Sequence, residues 1–391
     1  MTSPSDQNHE TQRAGESTPP GEHRHTTVHG LAVLLWTVLF GLGLTTAVDA
    51  MGLKYVQGVI WPTDLHTYGL RPPSGDLDVA VLGSSRASFG LTPAVMDACL
   101  EGRLDRPTRT VNLARVFGTG HTMRPIYRDL LHVDPPKVLL LAVAPEALDD
   151  TNPKMASSIT GTASVSDIPR ELAEARELGE GLAALRPVVR GAETLAFFLA
   201  GRHTEEARLQ WIMNHHGGGQ WCDGSEACDH QNDDLSRVMG RRWEEAVRTV
   251  LSSVRLQHFG EYVAGEGRVH EAMLDVIDEA RADGAQVAIV VMPLHEAFAV
   301  EIPEAVRKSF AAALDRLAEE HNVPVYRPDV RRWAGDKRSW IDPDHLARSA
   351  SLDLSRAVCR DVVHPLLTGE PVRASRKLRP SRQRLRRAEP R

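Results

Sequence analysis

The 391-residue chain has few cysteines, lysines and aromatic side chains. Four cysteines are too few for a disulfide-built scaffold. Only six residues are lysine, so the basic residues are nearly all arginine, which we interpret as codon bias. The sequence has no internal repeat, no glycine-rich phosphate-binding loop and no recognisable nucleic-acid-binding motif, so we expect no nucleic-acid partner. With 42% hydrophobic and 25% charged residues, the composition is ordinary for a globular protein.

The two ends of the chain differ in composition from the rest. Residues 1–28 have almost no apolar side chains, and we predict a disordered leader there. Residues 30–48 are 19 residues without a charge, long enough to cross a bilayer, which predicts a single-pass transmembrane anchor at 29–50. A buried core helix or a signal peptide cleaved near residues 48–50 is the alternative. Residues 373–391 carry nine Lys or Arg against one Glu, which predicts a basic disordered tail.

Between anchor and tail, residues 51–372 alternate between continuous apolar runs and helical stretches. Strands buried on both faces, as in parallel sheets, have such apolar runs. The alternation predicts an α/β domain with a doubly wound, flavodoxin-like sheet of five parallel strands and helices on both faces. A long stretch without a strand follows the third strand and predicts a helical insertion at about 152–270. The predicted strands are Asp78–Gly83, Thr110–Leu113, Lys137–Val143, Gln286–Val291 and Val323–Tyr326, and the main helices are Thr92–Glu101, His121–His132 and Ile302–Glu320.

Two of the cysteines, Cys222 and Cys228, stand close together in a polar loop of this insertion. Outside the cytoplasm such a pair predicts a local disulfide. A zinc site and two free thiols are the alternatives. Three histidines lie nearby, but the spacing matches no metal motif, and we expect no metal or other cofactor. The remaining cysteines, Cys99 and Cys359, lie on predicted helices, and the sequence offers no support for a bond between them. The three histidines near Cys222 and Cys228 are His215, His216 and His230.

Two serines follow the first predicted strand, and a carboxylate-histidine pair follows the last one. Ser84, Ser85 and Arg86 come directly after the first strand, and Asp342 and His345 lie three residues apart at the predicted start of the last helix. In an open α/β sheet functional residues gather at the carboxyl ends of the strands. A carboxylate three residues before a histidine can reach Nδ1 and leave Nε2 to take a proton from a hydroxyl. Helix capping by an aspartate is the simpler alternative.

In this order the motifs resemble those of the SGNH/GDSL hydrolase superfamily. The sequence GSSR at 83–86 resembles the first family block and implies Ser85 as the nucleophile. The sequence DPDHL at 342–346 resembles the last block and implies Asp342 and His345 as the other two members of a catalytic triad. The resemblance covers roughly residues 75–150 and 285–365.

The second family block is matched weakly by VNLARVFGTG at 111–120. By this resemblance, the backbone N–H groups of Ser85 and Gly118 donate to the oxyanion, with Gly120 as the second candidate after Gly118. The third block, Gly-x-Asn-Asp, is replaced by APEAL at 144–148, with Glu146 close to the position of the asparagine donor. An ionised glutamate has no proton to donate to an oxyanion.

Three further side chains are predicted to bind substrate, namely Arg86, Glu146 and His295. Arg86 suits an anionic substrate group or, equally, a structural carboxylate beneath the site. His295 and Glu296 follow the fourth strand, so they either line the pocket or form a surface pair.

Together these features predict a serine-dependent acyl-ester hydrolase or O-acyltransferase that acts on a cell-envelope glycan or polymer. The expected location is membrane-anchored with the catalytic domain outside the cytoplasm, and a multispanning membrane acyltransferase is a possible partner implied by the resemblance. The alternative is a catalytically degenerate SGNH fold that binds envelope glycan or such a membrane partner.

Overall fold

A computed structural model of the chain describes residues 77–149 and 264–372, apart from 115–117, 133 and 335. Outside these ranges it describes scattered helical positions between residues 32 and 47, the helix Ile168–Glu174 and residue 185. The described residues therefore cover the predicted α/β domain without most of the predicted insertion at about 152–270.

Several predicted segments lie outside the described residues. They are the leader 1–28, the tail 373–391, and most of the insertion at about 152–270, including Cys222 and Cys228. Of the predicted anchor, the described positions are helical. Among the residues that the structure describes, no helix has the length and apolar character needed to cross a membrane.

Five parallel strands form the centre of the domain. They are β1 (Val79–Gly83), β2 (Thr110–Asn112), β3 (Val138–Val143), β4 (Gln286–Val291) and β5 (Val325–Tyr326). Their order, β2-β1-β3-β4-β5, is that of doubly wound, flavodoxin-like sheets. Val79 pairs with Thr110 on one side and with Val138 on the other, and Val138 pairs with Gln286. The predicted five-stranded parallel sheet is confirmed.

A separate antiparallel ribbon of two short strands, β6 (Trp340–Asp342) and β7 (His345–Leu346), follows the sheet. In the described residues, two helices continue as π-helical turns: α3 continues through Tyr127–Leu131 and α9 through Cys359–Val363. The helices are α1 (Ser85–Gly90), α2 (Pro93–Leu104), α3 (Gly120–Ile126), α4 (Ile168–Glu174), α5 (Arg268–Ala282), α6 (Glu296–Ala299), α7 (Glu304–Glu320), α8 (Arg331–Ala334), α9 (Arg348–Val358) and α10 (His364–Thr368).

Helices cover both faces of the sheet, as predicted, because successive strand side chains point to opposite faces. Ala80 and Leu82 of β1 pack with residues of α3, α5 and α7. Val79 and Val81 pack with residues of α1, α2 and α9 on the other face. All four of these β1 side chains are fully buried. Burial of an aliphatic side chain stabilises a fold by about 1.5–3 kcal/mol, so β1 is held firmly from both sides.

The sequence placed Asp342 and His345 at the start of the last helix, and this local prediction is wrong. Instead they pair across the β6–β7 ribbon, and α9 begins only at Arg348. Pro343 and Asp344 form the turn between them. The short helix α1, which starts at the predicted nucleophile, was also missed.

A disulfide joins Cys99 of α2 to Cys359 at the end of α9, which the sequence left unsupported. The two cysteines are 260 residues apart in sequence. Close by, Thr92 donates its backbone N–H to the Ser355 side chain at 2.9 Å. The disulfide therefore fixes α9, the helix that follows the ribbon, to α2.

We expect that the double substitution Cys99→Ala/Cys359→Ala lowers the free energy of unfolding by about 2–4 kcal/mol, because the unfolded chain loses a constraint on a long loop. Urea unfolding of the oxidised wild-type protein and of the variant measures the difference. Equal midpoints, with two free thiols titrated at these positions in the untreated wild type, would contradict the bond.

Candidate active site

The carboxyl ends of the strands bring the predicted catalytic residues together. Ser85 begins α1 directly after β1, and Asp342 and His345 lie on the ribbon after β5. Glu146 lies in a 3-10 turn after β3, and His295 caps α6 after β4. This is the edge of the sheet at which doubly wound α/β proteins bind their ligands.

Ser85, His345 and Asp342 form one hydrogen-bonded chain. His345 Nε2 lies 2.8 Å from Ser85 Oγ. His345 Nδ1 lies 3.0 Å and 2.9 Å from the two carboxylate oxygens of Asp342. A carboxylate that accepts the Nδ1 proton leaves Nε2 as the nitrogen that exchanges a proton with the serine. This is the geometry by which a serine is activated for nucleophilic attack.

The serine is held in place by the close packing of backbone around it. At Gly83, just before Ser84, an added Cβ would lie 2.8 Å from Ala142 O, so β1 ends in tight contact with β3. The Asn112 side-chain amide donates to Ala87 O at 3.0 Å and to Leu91 O at 2.8 Å. Asn112 thereby fixes the C-terminal end of α1. The resemblance of residues 111–120 to the second family block did not predict this role.

The histidine is held by the ribbon and by aromatic neighbours. Asp342 Oδ1 also accepts the backbone N–H groups of Asp344 and His345, each at 2.9 Å, which fixes the turn. Trp340 is almost completely buried and donates its indole N–H to Trp333 O at 3.0 Å. The Phe89 ring of α1 lies 4.7 Å from the imidazole, centroid to centroid.

His295 supports the turn formed by Pro343 and Asp344. Its backbone N–H donates to Pro343 O at 3.0 Å, and its Nδ1 accepts the Ala297 N–H at 3.1 Å. Its ring packs edge-on against Trp340 at 5.4 Å. The side chain is buried, so it is not part of a surface pair, and these contacts favour a supporting role over the predicted contact with substrate.

Arg86 and Glu146, both predicted to bind substrate, contact each other instead. Arg86 forms one ion pair with Glu146 and another with Asp344, whose Oδ2 lies 3.0 Å from Nη2. The side chains of Arg86 and Glu146 are 8% and 7% exposed. These contacts favour the structural alternative for Arg86, in which the guanidinium holds carboxylates beneath the site. Asp344, which the sequence analysis did not assign, also lies 3.2 Å from His345 Nδ1.

Buried charges control the protonation of the histidine. Burial acts to lower the pKa of His345, but the carboxylates of Asp344 and Asp342 outweigh burial and raise the pKa to about 10. Burial acts to raise the pKa of Asp344, but the charges of His345 and Arg86 hold the pKa well below its usual value. The ring is therefore an imidazolium at neutral pH in the free protein, and Asp344 is an anion.

The two candidate oxyanion glycines have different surroundings. A Cβ on Gly118 would lie 1.9 Å from Gly83 O and 3.0 Å from Ser84 N, so Gly118 packs against the backbone that carries the nucleophile. A Cβ on Gly120 would lie 2.1 Å from Val269 O, so Gly120 packs against α5. The placement favours Gly118.

One cluster in the described part of the chain has donor atoms close enough to surround a cation. Asp342, Asp344 and His345 each offer an atom within 4.8 Å of the others. These atoms already serve one another and Arg86, because Nδ1 contacts both carboxylates and Asp344 pairs with the guanidinium. We therefore describe the cluster as an ion-pair network.

No protein-family model and no curated protein sequence matches the chain. The fold and the site define an α/β protein with an assembled Ser-His-Asp triad.

For the ester hydrolysis predicted from the sequence, we expect that Gly118→Ala lowers the rate by about 100-fold or more, because the added methyl group displaces the backbone beside Ser85 and a single oxyanion donor contributes that much to the rate. Ester hydrolysis and urea unfolding measure activity and stability. Gly102→Ala is the matched control, because Gly102 lies in α2 with nothing within 4 Å of an added Cβ. The control should keep its activity, and a fully active Gly118→Ala protein would contradict the assigned position.

Proposed function

We propose that the protein is a serine-dependent acyl-ester hydrolase or O-acyltransferase of the SGNH/GDSL type. The observation that carries the proposal is the hydrogen-bonded chain from Ser85 through His345 to Asp342. Ser85 and His345 are 260 residues apart in sequence, so their meeting is not a consequence of local structure. The strand order and the position of the site at the carboxyl edge of the sheet also support the family.

In the proposed reaction, neutral His345 accepts the Ser85 proton at Nε2 while Oγ forms a bond to the ester carbonyl carbon. The carbonyl oxygen becomes an oxyanion, which accepts hydrogen bonds from the Ser85 and Gly118 N–H groups. The tetrahedral intermediate collapses, and the leaving alkoxide takes the proton from His345. Water, or a sugar hydroxyl in the transferase, gives its proton to His345 and attacks the acyl-serine carbonyl carbon. The bond between that carbon and Ser85 Oγ then breaks, and His345 returns the proton to Oγ.

Glu146 implies an oxyanion hole with two donors. The family resemblance calls for an asparagine amide near this position, and the carboxylate of Glu146 is paired with Arg86 instead. Each oxyanion donor contributes up to about 3–4 kcal/mol to the transition state. We infer that the protein works with two backbone donors and is a slower hydrolase than a relative with three.

Two observations support an envelope substrate and a membrane tether. The Cys99–Cys359 disulfide is typical of proteins outside the cytoplasm. Apolar side chains at the described positions of the predicted anchor are largely exposed, including Trp36 at 72% and Phe40 at 73%. We propose that this segment anchors the domain outside the cytoplasm, where it acylates or deacylates a glycan beside a multispanning acyltransferase.

A non-catalytic glycan-binding or partner-binding role is the second candidate, and the glutamate at the asparagine position favours it. A fluorophosphonate probe separates the two functions, because it reacts only with an activated serine. Labelling of Ser85 supports the enzyme, and an unlabelled, folded protein supports the binding role.

We expect that Ser85→Ala and His345→Ala each reduce hydrolysis of p-nitrophenyl acetate to the background rate, because each removes a group that forms or breaks a bond. Ser84→Ala is the matched control, since Ser84 is the neighbouring hydroxyl and its side chain makes no capping bond to α1. The Ser84 side chain is buried, but its removal breaks no capping bond, so the control should keep most of the wild-type rate. Equal rates in Ser85→Ala and wild type would overturn the mechanism.

We also expect that kcat/KM for the same ester rises with pH from about 7 to about 10. Only the neutral form of His345 accepts the serine proton, and its pKa is raised to about 10. Rates measured with Ser85→Ala are subtracted as the alkaline background, and circular dichroism checks that the fold persists. A profile that is already level below pH 7 would contradict the raised pKa.

A further inference from the structure

A row of side chains with alternating charge runs from the interior to the catalytic histidine. It consists of Glu146, Arg86, Asp344 and His345, in that order of contact. None of the four side chains is more than 18% exposed. Since burying a charge without a partner is costly, each member depends on the next for its stability.

The row ends on the same ring nitrogen that Asp342 contacts. Asp342 lies 2.9 Å from His345 Nδ1 and Asp344 lies 3.2 Å from it. Asp342 is fixed by two backbone N–H groups of the turn. Asp344 is fixed instead by the guanidinium of Arg86, which donates to its Oδ2 at 3.0 Å.

Arg86 is suited to hold Asp344 because its own position is fixed. Its second terminal nitrogen pairs with Glu146, and its guanidinium carbon lies 5.4 Å from the centroid of the Phe298 ring. The planar guanidinium presents several donors in a rigid arrangement, which suits contact with two carboxylates. Glu146 also balances the Arg86 charge, so Asp344 remains an effective anion toward the imidazole.

We propose that Asp344 is a second carboxylate partner of the His345 imidazole, and that Arg86 and Glu146 are positioning residues that hold it against Nδ1. The proposal rests on the proposed function, in which His345 takes the serine proton. It assigns Arg86 and Glu146, residues outside the triad, to the support of the catalytic base.

Two carboxylates rather than one then stabilise the imidazolium that forms when Ser85 loses its proton. The elements packed against the ring carry few other charges. On α1 the charged residue is Arg86, and on the ribbon the charged residues are Asp342 and Asp344. The adjoining helix α9 contributes Arg348, Asp353 and Arg356, and the ring of His295 packs against Trp340.

The direct test is the titration of the His345 ring by NMR in protein with ¹³Cε1-labelled histidine. The background is Ser85→Ala, so the measurement needs no turnover, and the resonance is assigned by its loss in His345→Gln. We expect a midpoint well above 6.5 in this background. Asp344→Asn should move the midpoint down by about 1 pH unit or more, because an opposite charge in contact is lost. An unchanged midpoint in folded Asp344→Asn overturns the proposal.

Glu146→Gln tests the positioning part and serves as the second variant if Asp344→Asn does not fold. It keeps the size of the side chain and leaves the Arg86 charge unbalanced, so the midpoint should move in the same direction by a smaller amount. A midpoint equal to that of the Ser85→Ala background overturns the role of Glu146. The matched control is Glu279→Gln, which removes a carboxylate from the Arg128 ion pair far from the ring and should leave the midpoint unchanged.

Kinetics on the same substitutions in the protein with Ser85 give a second readout. With Asp344→Asn, the pH at which kcat/KM reaches half of its maximum should fall, in step with the NMR midpoint. A purely structural loss would lower the rate without moving that pH. If wild type and Ser85→Ala hydrolyse the ester equally, the proposed function fails, and the NMR titration still decides whether Asp344 acts on the ring.

Discussion

The arrangement of the domain holds in place one contact, the hydrogen bond between Ser85 Oγ and His345 Nε2, and this contact carries the proposed chemistry. A hydrogen bond weakens steeply when its distance or angle departs from the preferred range, so both ends must be held rigidly. The serine end is fixed by β1, which is paired on both sides in the sheet. The histidine end is fixed by a ribbon backed by α9, and α9 is tied through Ser355 to Thr92 and by the disulfide to α2.

The site also contains more buried charge than stability requires. Five charged or titratable side chains of the site are largely buried, namely those of Arg86, Glu146, Asp342, Asp344 and His345. Replacement of buried ion pairs by well-packed apolar side chains is often neutral or stabilising, so stability alone does not explain such a network. Buried charges that shift one another's pKa at the carboxyl edge of a sheet are typical of functional sites. The charge arrangement therefore agrees with the hydrogen-bond geometry in marking this edge as the working part of the molecule.

The sequence predicted the sheet well because its strands are continuous apolar runs bounded by turns, and β4 has the predicted bounds, Gln286–Val291. It also predicted the three members of the hydrogen-bonded chain, because each follows a strand. It did not predict the partner of Arg86, since Asp344 is 258 residues away and a lone aspartate before a histidine carries no distinctive pattern. Nor did it support the Cys99–Cys359 bond, because helix packing, and not sequence spacing, brings those two cysteines together.

The glutamate near the position of the expected asparagine can be understood together with the second carboxylate on the histidine. In acyl transfer, negative charge develops on the carbonyl oxygen while positive charge develops on the imidazole, so stabilisation at either end lowers the same barrier. In the proposed reaction the oxyanion end has two backbone donors and no amide donor, whereas the contacts of Glu146 with Arg86, and of Asp344 with the ring, act at the imidazolium end. The cost is that the resting ring holds its proton at neutral pH, which reduces the fraction of protein ready to react. Under the proposed function, a glutamate at this position therefore shifts stabilisation from the oxyanion to the imidazolium.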